Sequence, residues 1–120
     1  MNVLVDTNIA LYLLSGSEGA ARVLDRQTLH VSFVTELVLL GFAGMDDAER
    51  RAVEAFLSDC EIVDISAAVK RETIALRRST RLKLPDATVG ATAIVGRMPL
   101  VSADREFARA DAVPLILYEP

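Results

Sequence analysis

The chain has 120 residues, 52% of them hydrophobic but only 5% aromatic, and a formal net charge of −4. That length excludes two domains and sets the expectation of a single domain over residues 1–120 with an aliphatic core of its own. The acidic balance argues against indiscriminate nucleic-acid binding through bulk charge. No apolar run nears the roughly 20 residues that span a bilayer, and no charged-then-apolar leader precedes the first strand. A soluble, cytoplasmic protein without membrane contact is expected.

Val3-Leu4-Val5 reads as a short strand buried on both faces, the habit of a central strand in a parallel sheet. It hands directly to Asp6. In open α/β sheets ligands bind at the carboxyl ends of strands, so Asp6 is a candidate functional group as well as a helix cap. Thr7 and Asn8 are expected to accept from the free amides of a helix running to Ser15, and Ser17 to cap a second helix reaching about Asp25. Leu29 to Phe33 reads as a strand, with Thr35 as the N-cap of the next helix and Glu36 in its first turn. Leu37 to Leu40 are four apolar residues in a row, too many for one face, so this helix is expected to be buried or to dock onto a partner.

Gly41 and Gly44 break the segment, and Met45-Asp46-Asp47 opens a helix carrying Val53, Phe56 and Leu57 at core spacing. Glu61 to Ile65 is expected as a strand, and Ser66 as the cap of a long helix to about Thr80. Lys83-Leu84-Pro85-Asp86 follows, where Pro85 suits a first helical turn and places Asp86 at a helix N-terminus. Ala87, Gly90, Ala91 and Ala93 are small enough for that helix to lie close against a sheet. Pro99 to Ser102, a short helix from Asp104 to about Ala110, and a strand from Val113 to Leu117 complete the order. Alternating strands and helices indicate an α/β fold with a central, mostly parallel sheet of about five strands and helices on both sides.

Cys60 is the only cysteine and His30 the only histidine, so neither a disulfide nor a thiolate-rich metal site is expected, and His30 is given a packing role. Six of the 13 basic residues lie between Lys70 and Lys83. Of these, Arg77, Arg78, Arg81 and Lys83 are candidates for binding phosphates, against the plainer reading of a solvated helix face.

Four acids share one context. Asp6, Glu36, Asp86 and Asp104 each stand just past a strand or in the first turn of a helix, places that converge at one edge of a doubly wound sheet. Two carboxylates ~5 Å apart at an effective dielectric of ~20 repel by about 3 kcal/mol. Four together need protons or cations. Hard oxygen donors without His or Cys point to Mg²⁺ or Mn²⁺ rather than zinc, and such an ion activates water against a phosphodiester. Asn8 and Ser102 are expected to orient the acids or the water.

The segments VLVDTNIAL, Thr35-Glu36, KLPDATVGATA from Lys83 and VSADREF from Val101 resemble, in this order and spacing, the four motifs of PIN-domain nucleases. The resemblance covers essentially the whole chain and is to the single-domain, VapC-type toxins of bacterial toxin–antitoxin pairs. It implies a three-layer α/β/α sandwich and a metal-dependent endoribonuclease. Asp6, Glu36, Asp86 and Asp104 match the acidic quartet that holds one or two Mg²⁺ or Mn²⁺ ions. Thr7 and Asn8 match the polar pair after the first Asp, and Ser102 stands where the family usually has Thr. The fourth acid is the family's most variable position, and Glu106 is close enough in sequence to share the work of Asp104. The resemblance further implies cleavage of single-stranded or looped RNA, often transfer or ribosomal RNA, homodimers, and a VapB-type antitoxin that inserts a helix and an Arg or Lys near the acids.

Rival readings remain open at this stage. A phosphatase using Asp6 as nucleophile commonly wants a carboxylate where Asn8 stands. A phospho-accepting receiver domain wants paired acids after the first strand and a late Lys, and no Lys lies beyond Lys83. A non-toxin RNA-processing PIN nuclease or a catalytically inactive PIN-like binding domain are the nearer alternatives.

Overall fold

The computed structural model describes residues 1–120. The chain runs β1 (Asn2–Val5), α1 (Thr7–Leu14), α2 (Glu18–Val23), β2 (Thr28–Ser32), α3 (Phe33–Leu40), α4 (Asp47–Ser58), β3 (Glu61–Val63), α5 (Ala67–Ser79), α6 (Leu84–Gly96), β4 (Leu100–Ser102), a 3₁₀ turn (Arg105–Arg109) and β5 (Leu115–Leu117). The five strands form one sheet in the order β3-β2-β1-β4-β5, every pair parallel. Because β2 and β3 lie on one side of β1 while β4 and β5 lie on the other, the strand order reverses at β1/β4. That is where a doubly wound sheet opens a crevice at its carboxyl edge.

Alternation along the strands sorts the core into two layers. Val3 and Val5 of β1 and Val101 of β4 pack with Ile9 of α1, Leu39 of α3 and Val53 and Leu57 of α4. Leu4 and Leu100 point the other way, onto Val69 and Leu76 of α5 and the small residues of α6. The result is the expected three-layer α/β/α sandwich. Helix α6 is buried from Ala87 to Ala93, and a Cβ on Gly90 would stand 3.0 Å from Val113 Cγ2 and 3.4 Å from Leu76 Cδ1. The small residues therefore serve the approach of α5 and of the chain before β5 as well as the sheet. No helix is long and apolar enough to cross a membrane.

Several local expectations need correction. Asp6, not Thr7 or Asn8, caps α1: its Oδ1 accepts from the Thr7 amide at 2.8 Å. Likewise Ser32, not Thr35, caps α3, accepting from Val34 N at 3.0 Å. Phe33 thus begins the helix instead of ending the strand, and Thr35 is carried into its interior, fully buried. Strand β3 stops at Val63 rather than Ile65, because Asp64 Oδ1 takes the Ile65 amide at 2.8 Å and turns the chain. His30 lies half-buried on β2, with Nε2 enclosed and without a hydrogen-bond partner.

Candidate active site

Asp6 sits at the switch point because the sheet ladder continues through its own backbone. Its amide donates to Val101 O at 3.0 Å, which fixes the residue against β4 as β1 ends. The side chain, only 6% exposed, then has nowhere to go but the crevice floor. One carboxylate oxygen caps α1; the other accepts from Ser102 Oγ at 2.7 Å. That same Ser102 hydroxyl accepts from the Asp104 amide at 3.0 Å, so one buried side chain at the end of β4 positions two acids. Asp104 Oδ1 in turn accepts from Glu106 N at 2.9 Å, capping the 3₁₀ turn. Asn8 Oδ1 accepts from Ala103 N at 3.4 Å and ties α1 to the loop after β4.

Asp86 arrives from the opposite layer. Lys83 is the N-cap residue of α6 without making a side-chain cap, Pro85 occupies the first turn, and Asp86 follows it. Asp6, Asp86 and Asp104, with Thr7 and Asn8, line one open cleft of about 300 Å³ whose remaining walls are mostly apolar, from Leu11, Val34, Val38 and Val89. These walls were not legible as site residues. Thr35 was likewise missed in this role: its hydroxyl shares a hydrogen bond of 2.9 Å with that of Thr7, pinning α3 to α1 beside the acids.

Electrostatics bind the three acids into one site. Burial pushes the Asp6 carboxyl above its ordinary value, the hydrogen bonds from Ser102 and Thr7 pull it back, and the charge of Asp104 adds to the rise. Asp86 is also raised, first by burial and then by the charges of Asp6 and Asp104, with Lys83 opposing and Glu106 adding. Glu36 lies half-buried in the first turn of α3 and does not line the cleft. Glu106 is exposed and pairs with Arg109 at 3.4 Å, while its charge reaches Asp86. Arg77 and Arg78, in the last turn of α5, and Arg81 and Lys83 beyond it are all exposed, outside the cleft lining, and in no salt bridge.

No three acidic, His or Cys side chains are grouped closely enough to present a finished cation cage. The donor set nonetheless fits a hard divalent cation. It is oxygen-only, and two of its members hold protons more tightly than usual, first because burial desolvates them and then because negative charge is crowded there, which a cation would relieve.

Fold and site together define a class: a parallel α/β domain whose switch point is an acid-lined cleft. The family model of the PIN domain matches residues 3–113, and the chain belongs to the PIN-domain family. No protein of curated function matches it. Among solved structures, a chain of VapBC2 from Rickettsia felis, bound to a DNA fragment from their promoter, superposes with a TM-score of 0.88 at 20% identity, covering 99% of this chain and 100% of that one. A chain of a toxin–antitoxin complex from Klebsiella pneumoniae gives 0.84 at 30% identity, with 98% and 99% covered. VapBC-1 from nontypeable Haemophilus influenzae gives 0.84 at 20% identity, with 98% of each chain covered. The chain thus resembles the VapC-type PIN toxins in fold over its whole length.

Proposed function

We propose that the chain is a Mg²⁺- or Mn²⁺-dependent endoribonuclease that hydrolyses RNA phosphodiester bonds, and the toxin of a VapBC-type pair, working in the cytoplasm as a homodimer under control of a VapB-type antitoxin. The observation that carries the reading is the convergence of Asp6, Asp86 and Asp104 in one cleft at the β1/β4 switch point. The 30% identity to a chain of the Klebsiella pneumoniae toxin–antitoxin complex supports the toxin assignment. Asp6, Asp86 and Asp104 are the residues that would hold the cation, with Glu36 as the fourth acid the family pattern supplies. When bound, it polarises a phosphoryl oxygen and makes a water more acidic.

The chain's own part is to hold those groups still. Ser102 keeps the inner oxygen of Asp6 hydrogen-bonded and sets the backbone of Asp104. Asn8 and the Thr7–Thr35 bond hold the start of α1 against β4 and α3. Arg77, Arg78, Arg81 and Lys83 supply the positive charge for the RNA backbone, which the acidic whole does not. A transfer or ribosomal RNA is the substrate class that goes with this reading.

The test is cleavage of a total-RNA pool by purified protein freed of any partner, with Mg²⁺ or Mn²⁺ against a chelator, and with Asp6→Asn in parallel. Cuts at few discrete sites that need the metal and vanish in the mutant are expected. Cleavage by neither protein under any metal would overturn the nuclease and leave a PIN-like binding domain.

A further inference from the structure

Both salt bridges of the chain fall on the 3₁₀ turn that follows β4, Arg105–Glu119 at 2.6 Å and Arg109–Glu106 at 3.4 Å. Asp104 stands at the start of that turn, and the turn's own backbone does little to hold it. Hydrogen-bond geometry in a 3₁₀ turn is poor, and the bond that closes this end, from Phe107 N to Asp104 O, is 3.4 Å long. Phe107, fully buried, anchors the far end. At the near end support comes from the segment after β5. The Tyr118 amide donates to Ser102 O at 2.8 Å, and Glu119 Oε1 accepts from Arg105 Nη2 at 2.6 Å. Two consecutive residues thus grip the chain on either side of Asp104.

Tyr118 is itself seated. Its side chain packs against the core layer that holds Ile9 and Ala10 of α1, and its ring lies 6.0 Å from that of Tyr12, tilted by 57°. The hydroxyl fills the space over Gly19 of α2, where a Cβ would stand 2.6 Å from the oxygen and 3.7 Å from Cζ. A glycine inside a six-residue helix weakens that helix. The Tyr118 hydroxyl accounts for it: a side chain at position 19 would push the ring off its seat, and the grip on Ser102 and Arg105 with it. The Arg105–Glu119 pair is solvated on both sides and contributes little alone. The seat on Gly19 is the stronger anchor.

We propose that Tyr118 and Glu119 are positioning residues that hold Asp104 in the acid cleft, with Gly19 as the socket that admits them. Neither lines the cleft; they act through the Ser102 carbonyl and the Arg105 guanidinium. What Asp104 does in the cleft rests on the nuclease reading. That it is held there does not.

Amide exchange in the metal-free protein, resolved by residue with NMR, tests the clasp at the Glu106 amide. Its acceptor is Asp104 Oδ1, so its protection reports whether that carboxylate stays in place. Rates are taken relative to the Val53 amide within α4, which removes any uniform loss of stability. Gly19→Ala is expected to speed exchange at Glu106 by about fivefold to tenfold, a local opening rather than a global one. Adding Tyr118→Phe removes the oxygen that the new Cβ meets, leaves Cζ at ordinary contact distance, and should restore the wild-type rate. Glu119→Arg should speed exchange by about twofold to fivefold, the scale of a solvated pair. Affinity for Mn²⁺, titrated by calorimetry, should fall and recover in the same order. Unchanged exchange in Gly19→Ala or in Glu119→Arg, acceleration that Tyr118→Phe does not reverse, or Mn²⁺ affinities indifferent to the loosened turn would each overturn the proposal. If the wild type binds no Mn²⁺ while exchange follows the expected order, the cation reading fails and the clasp on Asp104 stands.

Discussion

Ser102 is fully buried and joins two acids through a single hydroxyl. Removing it in Ser102→Ala strips Asp6 of the hydrogen bond that favours its charged form, so the Asp6 carboxyl should rise further above its ordinary value. The buried oxygen left without a donor should cost about 1–3 kcal/mol of stability, and divalent-metal affinity should drop roughly 10–100-fold, as it does when a ligand loses its supporting shell. Ser102→Thr keeps the hydroxyl and should retain activity; chemical denaturation and metal titration by calorimetry separate the two variants. Asp6→Asn acts differently. A carboxyl whose folded value lies above its unfolded one binds its proton more tightly in the folded state, so stability falls as pH rises from the unfolded value through the folded one. Asp6 and Asp86 are both of this kind. In chelator, the melting temperature should therefore rise as pH is lowered from about 7 toward about 4, and Asp6→Asn should flatten that slope while lowering cleavage by on the order of 100- to 1,000-fold. A slope unchanged by the substitution would mean that Asp6 is not strained by burial. Glu36→Gln should lose less cleavage than Asp6→Asn, because Glu36 stands outside the cleft lining.

At the scale of elements, α6 shows how much of the structure was legible and where legibility stopped. Pro85 fixes a first turn and so places Asp86, while Ala87 to Ala93 announce a close-packed helix; both follow from local chemistry. What Gly90 has to accommodate does not, because Leu76 and Val113 reach it from distant parts of the chain. Gly90→Val should overpack that junction and destabilise the protein by about 1–3 kcal/mol, measured by denaturant unfolding. Similarly, Asp6 was readable as a strand-end acid, whereas its bond to Ser102 spans most of the chain. Glu36 was correctly placed in a first helical turn, but a helix position does not declare its face. Val34 and Val38 present to the cleft, Thr35 is held by Thr7, and Glu36 falls outside the lining. The shift of a cap from Thr35 to Ser32 has the same origin: both are good acceptors, and only the ladder between β2 and β3, reaching Ser32, decides which one ends the strand.

Over the whole molecule the difficulty for an RNA nuclease is charge. A net −4 chain with an acidic cleft repels RNA, so under the proposed function affinity has to come from where the positive charge is placed rather than from its amount. Arg77, Arg78, Arg81 and Lys83 are exposed and in no salt bridge, and Lys83, at the N-cap position of the helix of Asp86, exerts its charge on that acid. The basic stretch therefore has one end within electrostatic reach of Asp86 and the other in the last turn of α5. Phosphates seated on it would release their counterions, and for a single strand each contact contributes about 0.7 to the slope of log affinity against log salt. Replacing Arg77, Arg78 and Arg81 together with Ala should then reduce that slope by roughly 2 and weaken binding to metal-free Asp6→Asn protein at low salt far more than at high salt. Fluorescence anisotropy of a labelled single strand across a salt series measures both. Equal slopes for the two proteins would assign the arginines to solvated helix surface, and the backbone of the substrate would have to be met elsewhere.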